Sequence, residues 1–331
     1  MTARRPLVIG HRGASGHRPE HTLASYELAA RMGADHLEPD LVATADGVLV
    51  ARHEPEMGAS TDIAARPEFA DRRTIRVVDG APCSGWFVDD LTLAELRTLR
   101  VVERLPALRP ANTRFDGHYP VPTFAEILGL RARLSAELGR PIGVYPETKS
   151  PGYFADRGLP LEAALVDALR DAGLDHPGAP VYVQSFDPAS LRLLRSELRV
   201  PLVHLVDDDA PHLVARENLA TIADYADAVG VHKSLVIPRT ASGTLGEPGP
   251  LVDDAHAAGL AVHAFTFRDE NAFLPTDLRR GLGDAGRGDG LAECVAFFEA
   301  GVDGVFADHP DTAVAARDLF DSPAQTMRLS S

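Results

Sequence analysis

Blocks of apolar and polar positions alternate along most of the chain and predict short buried strands, each followed by a helix. The run LVIGH at residues 7–11 is apolar up to its last residue, which is typical of a parallel strand covered on both faces. A helix follows at 24–32. Helices are then predicted near 124–138, 160–172, 188–197, 211–222, 250–258 and 290–300, and strands near 142–147, 181–185, 202–206, 228–232, 261–267 and 304–307.

A β-hairpin is predicted where the sequence reads LEPDLVATADGVLVARH. Asp46-Gly47 is a strong signal for a two-residue turn, because a type I′ turn needs positive φ at both central positions. In that register Asp40 lies opposite His53, and Glu38, two residues earlier, lies on the same face. Two carboxylates and an imidazole on a core strand predict a divalent cation that compensates their charge.

Nine strands are predicted in all, near residues 7, 37, 48, 142, 181, 202, 228, 261 and 304. A parallel crossover needs a dozen or more residues, so the strand after the hairpin turn must run antiparallel. Eight strands remain, which is the number in a closed (β/α)₈ TIM barrel. An open doubly wound sheet is the second possibility, but polar residues follow many strands here, not one switch point. We therefore predict a single barrel domain over residues 1–331.

Residues 54–122 interrupt this alternation and contain no convincing barrel strand. They are rich in Arg, Asp, Pro and Gly, and one helix is predicted over the sequence LAELRTL, capped by Asp90 or Thr92. We expect an inserted subdomain after the third strand, which would cover one end of the barrel as a lid or substrate collar.

Polar residues follow several predicted strands, and in a barrel the carboxyl ends of all strands meet at one face. Three of these residues are the carboxylates Glu38, Asp40 and Glu147. Oxygen ligands without thiolates favour a hard cation, Ca²⁺ or Mg²⁺.

Four more residues at the same face have side chains suited to phosphate chemistry. His11 and His53 are candidates for a general acid and base, because the pKa of imidazole lies near neutrality. Arg12 and Lys149 would offset the charge of a phosphate. With a cation present, this set predicts phosphoryl transfer or phosphodiester cleavage.

Composition and charge argue against several classes of protein. The net charge of −15 argues against broad binding of nucleic acid. Cys83 and Cys294 fit no zinc spacing, although one long-range disulfide between them stays open. No apolar run approaches the ~20 residues of a membrane span. The first residues do not read as a signal peptide, which predicts a cytoplasmic protein as written, or a secreted or periplasmic one if the sequence is a processed form.

The sequences HRGASGHRPEHT, LEPD, VARHEPE and YPETKSP together resemble the glycerophosphodiester phosphodiesterases. GWFVDDLTLAELRTL, QSFD, FTFRDENAFLP and DGVFADHPDTA extend the resemblance to the longer, often secreted bacterial type with a large insertion. This resemblance implies a barrel of the phospholipase C-like type. It also implies hydrolysis of glycerophosphocholine, glycerophosphoethanolamine and similar diesters to glycerol 3-phosphate and an alcohol, through a cyclic phosphate.

The resemblance also implies a role for each site residue and one divalent cation, with Ca²⁺ slightly favoured over Mg²⁺. The implied roles are acid/base catalysis for His11 and His53, metal binding for Glu38, Asp40 and Glu147, phosphate binding for Arg12 and Lys149, and support for Glu20. Gln184 and Phe265 are further candidates for substrate contact.

Three positions depart from the family pattern: His21 replaces an Asn, Glu54 an Asp, and Phe265 a Trp. The first two affect positioning, and the third removes an indole N–H donor while keeping an apolar wall.

Two other functions use the same residues. A lysophospholipase D or sphingomyelinase D-like enzyme would need an apolar groove for an acyl chain, and residues 54–122 offer only scattered apolar side chains such as Phe69, Trp86 and Phe87. A non-catalytic phosphodiester-binding protein would be expected to have lost one of the two histidines, and both are present. A small-molecule substrate is therefore expected, and the oligomeric state stays open.

Overall fold

A computed structural model describes residues 5–322 as a barrel of parallel strands surrounded by helices. The strands are β1 (Leu7–His11), β2 (His36–Glu38), β3 (Asp40–Ala43), β4 (Leu49–Ala51), β5 (Thr74–Val78), β6 (Ala81–Gly85), β7 (Gly143–Val144), β8 (Glu147–Thr148), β9 (Val183–Ser185), β10 (Leu202–Val206), β11 (Ala228–His232), β12 (Ala261–Phe267) and β13 (Gly304–Ala307). The helices are α1 (Leu23–Arg31), α2 (Leu93–Leu96), α3 (Phe124–Leu138), α4 (Pro151–Asp156), α5 (Leu161–Asp171), α6 (Pro188–Glu197), α7 (Arg216–Ala223), α8 (Leu251–Ala257), α9 (Gly290–Glu299) and α10 (Pro310–Phe320).

Parallel pairing runs in a closed ring. It passes from β1 to β2, from β2 to β7 and from β3 to β8, then through β9, β10, β11, β12 and β13 back to β1. Pro39 separates β2 from β3, and Pro146 lies between β7 and β8, because proline has no N–H to donate to the ladder. When each interrupted pair counts as one strand, the ring has eight strands. The predicted (β/α)₈ barrel is confirmed.

The barrel interior is filled by side chains and is not an open channel. One buried cluster joins Ile9, Tyr145, Val203, Ala228 and Phe306, which come from strands all around the ring. A larger apolar cluster lies between the ring and its surrounding helices. This packing leaves the carboxyl end of the strands as the place for a site.

The predicted hairpin is present, but its predicted register is wrong. Leu41 pairs with Ala51 and Ala43 with Leu49, so every pair lies one residue away from the expected position. Arg52 lies opposite Asp40, and its main-chain N–H donates to the Asp40 carbonyl over 2.9 Å. A shift of one residue reverses the face on which each side chain lies.

The cause of the shift is a three-residue turn, Ala45-Asp46-Gly47, in place of the expected two-residue turn. Gly47 has a φ of +77°, which suits the left-handed residue that closes such a loop. The Asp46 carboxylate accepts hydrogen bonds from Thr44 Oγ1 (2.6 Å) and from the Leu93 main-chain N–H (2.9 Å). The second contact comes from Leu93 of the 54–122 segment, so the residues next to the turn do not predict it.

The 54–122 segment leaves the barrel after β4 and returns at α3. It contains an antiparallel hairpin, β5–β6, that was not predicted and does not pair with the barrel. Its helix α2 is the predicted one, but it ends at Leu96. Thr92 caps it, and Glu95 closes a capping box.

Most other predicted elements lie within a few residues of their expected bounds. The helix expected at 211–222 is divided into a 3₁₀ turn, Pro211–Val214, and α7. Helices α4 and α10 were not predicted. Cys83 and Cys294 are both free thiols. Between residues 5 and 322, no helix is both long enough and apolar enough to cross a membrane.

Candidate active site

Three buried carboxylates lie together at the carboxyl end of the barrel. Glu38, Asp40 and Glu147 each present an oxygen within 4.8 Å of the others. Glu38 and Asp40 are two residues apart in an extended strand and share a face. Glu147 is the parallel-strand partner of Asp40. The structure therefore brings together the three predicted metal ligands.

The electrostatics of this cluster fit a divalent cation. Burial, with Asp40 next in effect, raises the pKa of Glu38 well above its usual range. Burial also raises the pKa of Glu147 to about 8. The pKa of Asp40 is held well below its usual range despite burial, because Lys149 and Arg12 lie close to it. A cation would take the place of protons on the first two groups, and oxygen donors suit Ca²⁺ or Mg²⁺.

Arg12 and Lys149 supply the positive charge beside these carboxylates. The Arg12 guanidinium donates to Glu20 over 3.0 Å and lies 3.2 Å from Asp40. Its main-chain N–H donates to Glu38 over 2.8 Å, and its φ of +57° turns that group toward the carboxylate. Lys149 Nζ lies 2.7 Å from Glu147 and 3.6 Å from Asp40. Both predicted phosphate-binding cations therefore border the cluster.

His11 is held by a carboxylate that was not predicted. Its Nδ1 lies 2.6 Å from Asp308. Burial first, and Arg12 next, lower the pKa of His11 to about 4. A neutral His11 donates from Nδ1 to Asp308 and keeps Nε2 available as an acceptor. The only sequence signal for Asp308 was its place directly after the last strand, within DGVFADHPDTA.

His53 reaches the site although the predicted register is wrong. It lies two residues beyond the end of β4 and borders the same cavity as His11. Its Nδ1 lies 2.5 Å from Glu54, which also accepts from Arg104 over 2.6 Å. Burial and the nearby Arg12 lower the pKa of His53 well below its usual range. Glu54, where the resemblance predicts an Asp, therefore contacts the imidazole of His53.

Most of these groups border one cavity of about 330 Å³. The predicted site residues that line it are His11, Arg12, Glu38, His53, Glu147, Lys149, Gln184 and Phe265. Asp40 and Glu20 lie behind this wall and contact Arg12. Gln184 Nε2 donates to Glu38 over 3.2 Å, while its buried Oε1 forms no hydrogen bond with any described residue.

His21, where the resemblance predicts an Asn, contacts the carboxylate cluster through Asp40. It is fully buried, with Nδ1 2.7 Å from the Tyr26 hydroxyl and Nε2 2.9 Å from Asp40. Both ring nitrogens therefore have partners, and the imidazole fixes one carboxylate of the cluster.

The 54–122 segment contributes two arginines that the sequence analysis missed. Arg104 lies between Glu54 and Glu20. Arg109 donates to Glu270 (2.6 Å), to the Ser15 carbonyl (3.0 Å) and to Asp308. No local pattern marks these two among the many arginines of the segment, because their partners are distant in sequence.

A family model and curated relatives match most of the chain. The model of the glycerophosphoryl diester phosphodiesterase family matches residues 11–312. The chain belongs to this family. A glycerophosphodiester phosphodiesterase of Arabidopsis thaliana, GDPD6, is 30% identical over 92% of this chain and 84% of its own length. One from Haemophilus influenzae is 28% identical over 93% and 88%. The chain is therefore a glycerophosphodiester phosphodiesterase, as predicted.

Two solved phosphodiesterase structures have the same fold as this chain. A putative glycerophosphoryl diester phosphodiesterase from Silicibacter pomeroyi superposes with a TM-score of 0.67 at 22% identity, covering 96% of this chain and 94% of the other. An Oleispira antarctica phosphodiesterase in complex with the product sn-glycerol-3-phosphate gives a TM-score of 0.64 at 21% identity, with 95% and 97% covered.

Proposed function

We propose that the protein is a metal-dependent enzyme that hydrolyses glycerophosphodiesters such as glycerophosphocholine and glycerophosphoethanolamine. The products would be glycerol 3-phosphate and the free alcohol. The observation that carries this proposal is the pair His11 and His53, which border one cavity together with buried carboxylates and cations. The bound product of the Oleispira antarctica neighbour supports the glycerol 3-phosphate end of the substrate.

Glu38, Asp40 and Glu147 would hold the cation, either Ca²⁺ or Mg²⁺. When bound, it offsets phosphate charge and lowers the pKa of the attacking hydroxyl. Arg12 and Lys149 would bind the phosphate oxygens, and Glu20 fixes the Arg12 guanidinium between itself and Asp40.

In the first step one imidazole takes the proton of a glycerol hydroxyl as its oxygen attacks phosphorus. The other imidazole gives a proton to the oxygen of the departing alcohol, and a cyclic phosphate remains. Water then opens the ring, and each histidine performs the reverse proton transfer. Asp308 and Glu54 stabilise the imidazoles in their protonated forms through the contacts at Nδ1.

Two residues of the cavity wall would orient the glycerol. The buried Gln184 Oε1 is an acceptor without a described partner, and a glycerol hydroxyl could donate to it. Phe265 contacts the rings of Phe306 and His232 and offers an apolar surface to the carbon chain.

The test is release of glycerol 3-phosphate from glycerophosphocholine before chelation, after chelation, and after Ca²⁺ or Mg²⁺ is added back. We expect chelation to stop release and one cation to restore it. A Glu147→Gln variant should require more cation for half-maximal rate. Glu162→Gln, which changes a buried glutamate of α5, is the matched control. Full activity after exhaustive chelation would refute metal dependence. Release of alcohol only from lysophospholipids would favour the lysophospholipase D function.

A further inference from the structure

A second cavity of about 610 Å³ adjoins the catalytic cavity. It lies between hairpin β5–β6, the loop before α4 and the loop before α6. The two cavities share His53, Glu147, Lys149 and Phe186 in their walls. A phosphodiester has two ester arms, so a phosphate held beside His53 needs space for one arm on each side.

The two cavities differ in charge. Beyond the shared residues, the catalytic cavity has Arg12, Arg104 and Arg268 in its wall against Glu38 and Asp207. The second cavity has four carboxylates of its own and no cation of its own. These carboxylates are Glu54, Glu56, Asp79 and Asp187. Glu54 is paired with Arg104, whereas the other three form no ion pair with any residue of the described part of the chain. The second cavity therefore favours positive charge.

The tip of hairpin β5–β6 is fixed beside the phosphate-binding lysine. Asp79 is the first residue of the turn, with a φ of +49°, and its carboxylate accepts a hydrogen bond from Ser150 Oγ over 2.6 Å. Ser150 directly follows Lys149 and has a φ of +46°. Glu56 accepts from the main-chain N–H groups of Gly58 and Trp86. The carboxylates are therefore held in place around the cavity.

The rest of the wall suits the carbon atoms of a small alcohol. Pro55, Val78, Pro151 and Pro188 border the space, together with Phe186, which is 42% exposed. Lys149 Nζ lies 5.6 Å from the centroid of the Phe186 ring. An aromatic face accepts alkylammonium groups as well as hydrocarbon.

We propose that the second cavity receives the alcohol arm of the substrate, and that Asp79 and Asp187 favour alcohols with a positive charge, such as quaternary ammonium alcohols. This inference rests on the proposed function. The phosphate binds among arginines, and the cationic end of the same molecule lies among carboxylates. The alcohol leaves through the side of the barrel that the 54–122 segment covers.

The test compares kcat/KM for glycerophosphocholine, whose alcohol is cationic, and glycerophosphoglycerol, whose alcohol is neutral. The variant is Asp79→Asn/Asp187→Asn. Asn tolerates the left-handed backbone at 79. It also caps a helix as Asp does, so the cap of α6 is kept. Because two partly solvated negative charges are lost, kcat/KM for glycerophosphocholine divided by kcat/KM for glycerophosphoglycerol should fall about 10-fold.

The matched control is Asp46→Asn/Asp289→Asn. Asp46 also precedes a turn glycine and Asp289 also caps a helix, but neither borders the two cavities. In this control variant the ratio of the two kcat/KM values should stay within about 2-fold of the ratio in the unmodified enzyme. An unchanged ratio in the first variant, or an equal fall in both, would overturn the inference while the proposed function stands. No hydrolysis of either substrate by the unmodified enzyme with cation present would overturn both.

Discussion

Arg109 connects the 54–122 segment to the loops that follow β12 and β13. Its removal should lower the free energy of unfolding. Only 4% of its side chain is exposed. Glu270 and Asp308 both accept from the guanidinium. Breaking a buried ion pair by removing one partner typically costs about 3–5 kcal/mol. We therefore expect Arg109→Met to lower the free energy of unfolding by about 4 kcal/mol.

Most of that loss should come from Glu270. Without Arg109, Asp308 still has Arg268 and His11 as partners. Among the described residues, Glu270 would keep only His309, at 4.0 Å. Burial lowers the pKa of His309 to about 3, so this imidazole is neutral. The second oxygen of Glu270 already has no hydrogen-bond partner among the described residues. A Glu270→Gln variant, which removes one charge-assisted hydrogen bond, should cost about 2 kcal/mol.

A double-mutant cycle measures this coupling. We would measure urea unfolding of the parent, the two single variants and Arg109→Met/Glu270→Gln. The double variant should be about 1 kcal/mol more stable than Arg109→Met alone, because the Glu270→Gln change leaves no buried unpaired charge. The coupling energy would then be about 3 kcal/mol. Arg133→Met is the control, because this half-exposed arginine contacts Glu27 and Glu137 at the surface. It should cost less than about 1 kcal/mol. Additivity within about 0.5 kcal/mol would refute the reasoning.

Three further predictions follow from the site and the core. His11→Ala and His53→Ala should each reduce glycerol 3-phosphate release at least about 100-fold with an unchanged circular dichroism spectrum, and near-normal rates in either variant would contradict the acid/base assignment. Glu38→Ala or Asp40→Ala should lower the metal content found by elemental analysis, so unchanged stoichiometry would contradict the ligand assignment. Burial, with Arg192 next, lowers the pKa of His204 from 6.5 to about 4. Between these two pH values His204 is protonated in the unfolded chain but neutral in the folded one, so the free energy of unfolding falls as the pH falls from 6.5 towards 4. His204→Gln should therefore lose about 2 kcal/mol less stability than the parent between pH 7 and 4.5 in urea unfolding, and an equal loss would show that His204 does not titrate this way.

The sequence was sufficient for the parts of the fold that depend on local pattern. Strand and helix alternation predicted the barrel, and the spacing of Glu38 and Asp40 placed both on one face. The register of the β3–β4 hairpin failed because Asp46 bonds to Leu93, far along the chain. His53 was still assigned to the site, since the family motif identified it independently of the register.

The residues that sequence analysis missed share one property. Asp308, Arg104 and Arg109 act through partners that are distant in sequence, so no local spacing links them to those partners. The β5–β6 hairpin was missed for another reason. Its strands expose Ile75 and Val77 on one face, and a short two-stranded ribbon outside the core lacks the buried pattern by which strands are recognised.

The contacts of the 54–122 segment bear on how the enzyme can change in evolution. Arg104 and Arg109 contact Glu54 and Asp308, which lie beside His53 and His11, so exchange of the whole segment would remove contacts next to both predicted catalytic histidines. The hairpin between Thr74 and Gly85 lies apart from those anchors and pairs with no barrel strand. Mutations there can alter one wall of the second cavity while His11 and His53 keep their contacts with Asp308 and Glu54. With the alcohol-binding role proposed above for the second cavity, the substrate range could change through the hairpin while the rest of the insertion keeps its contacts.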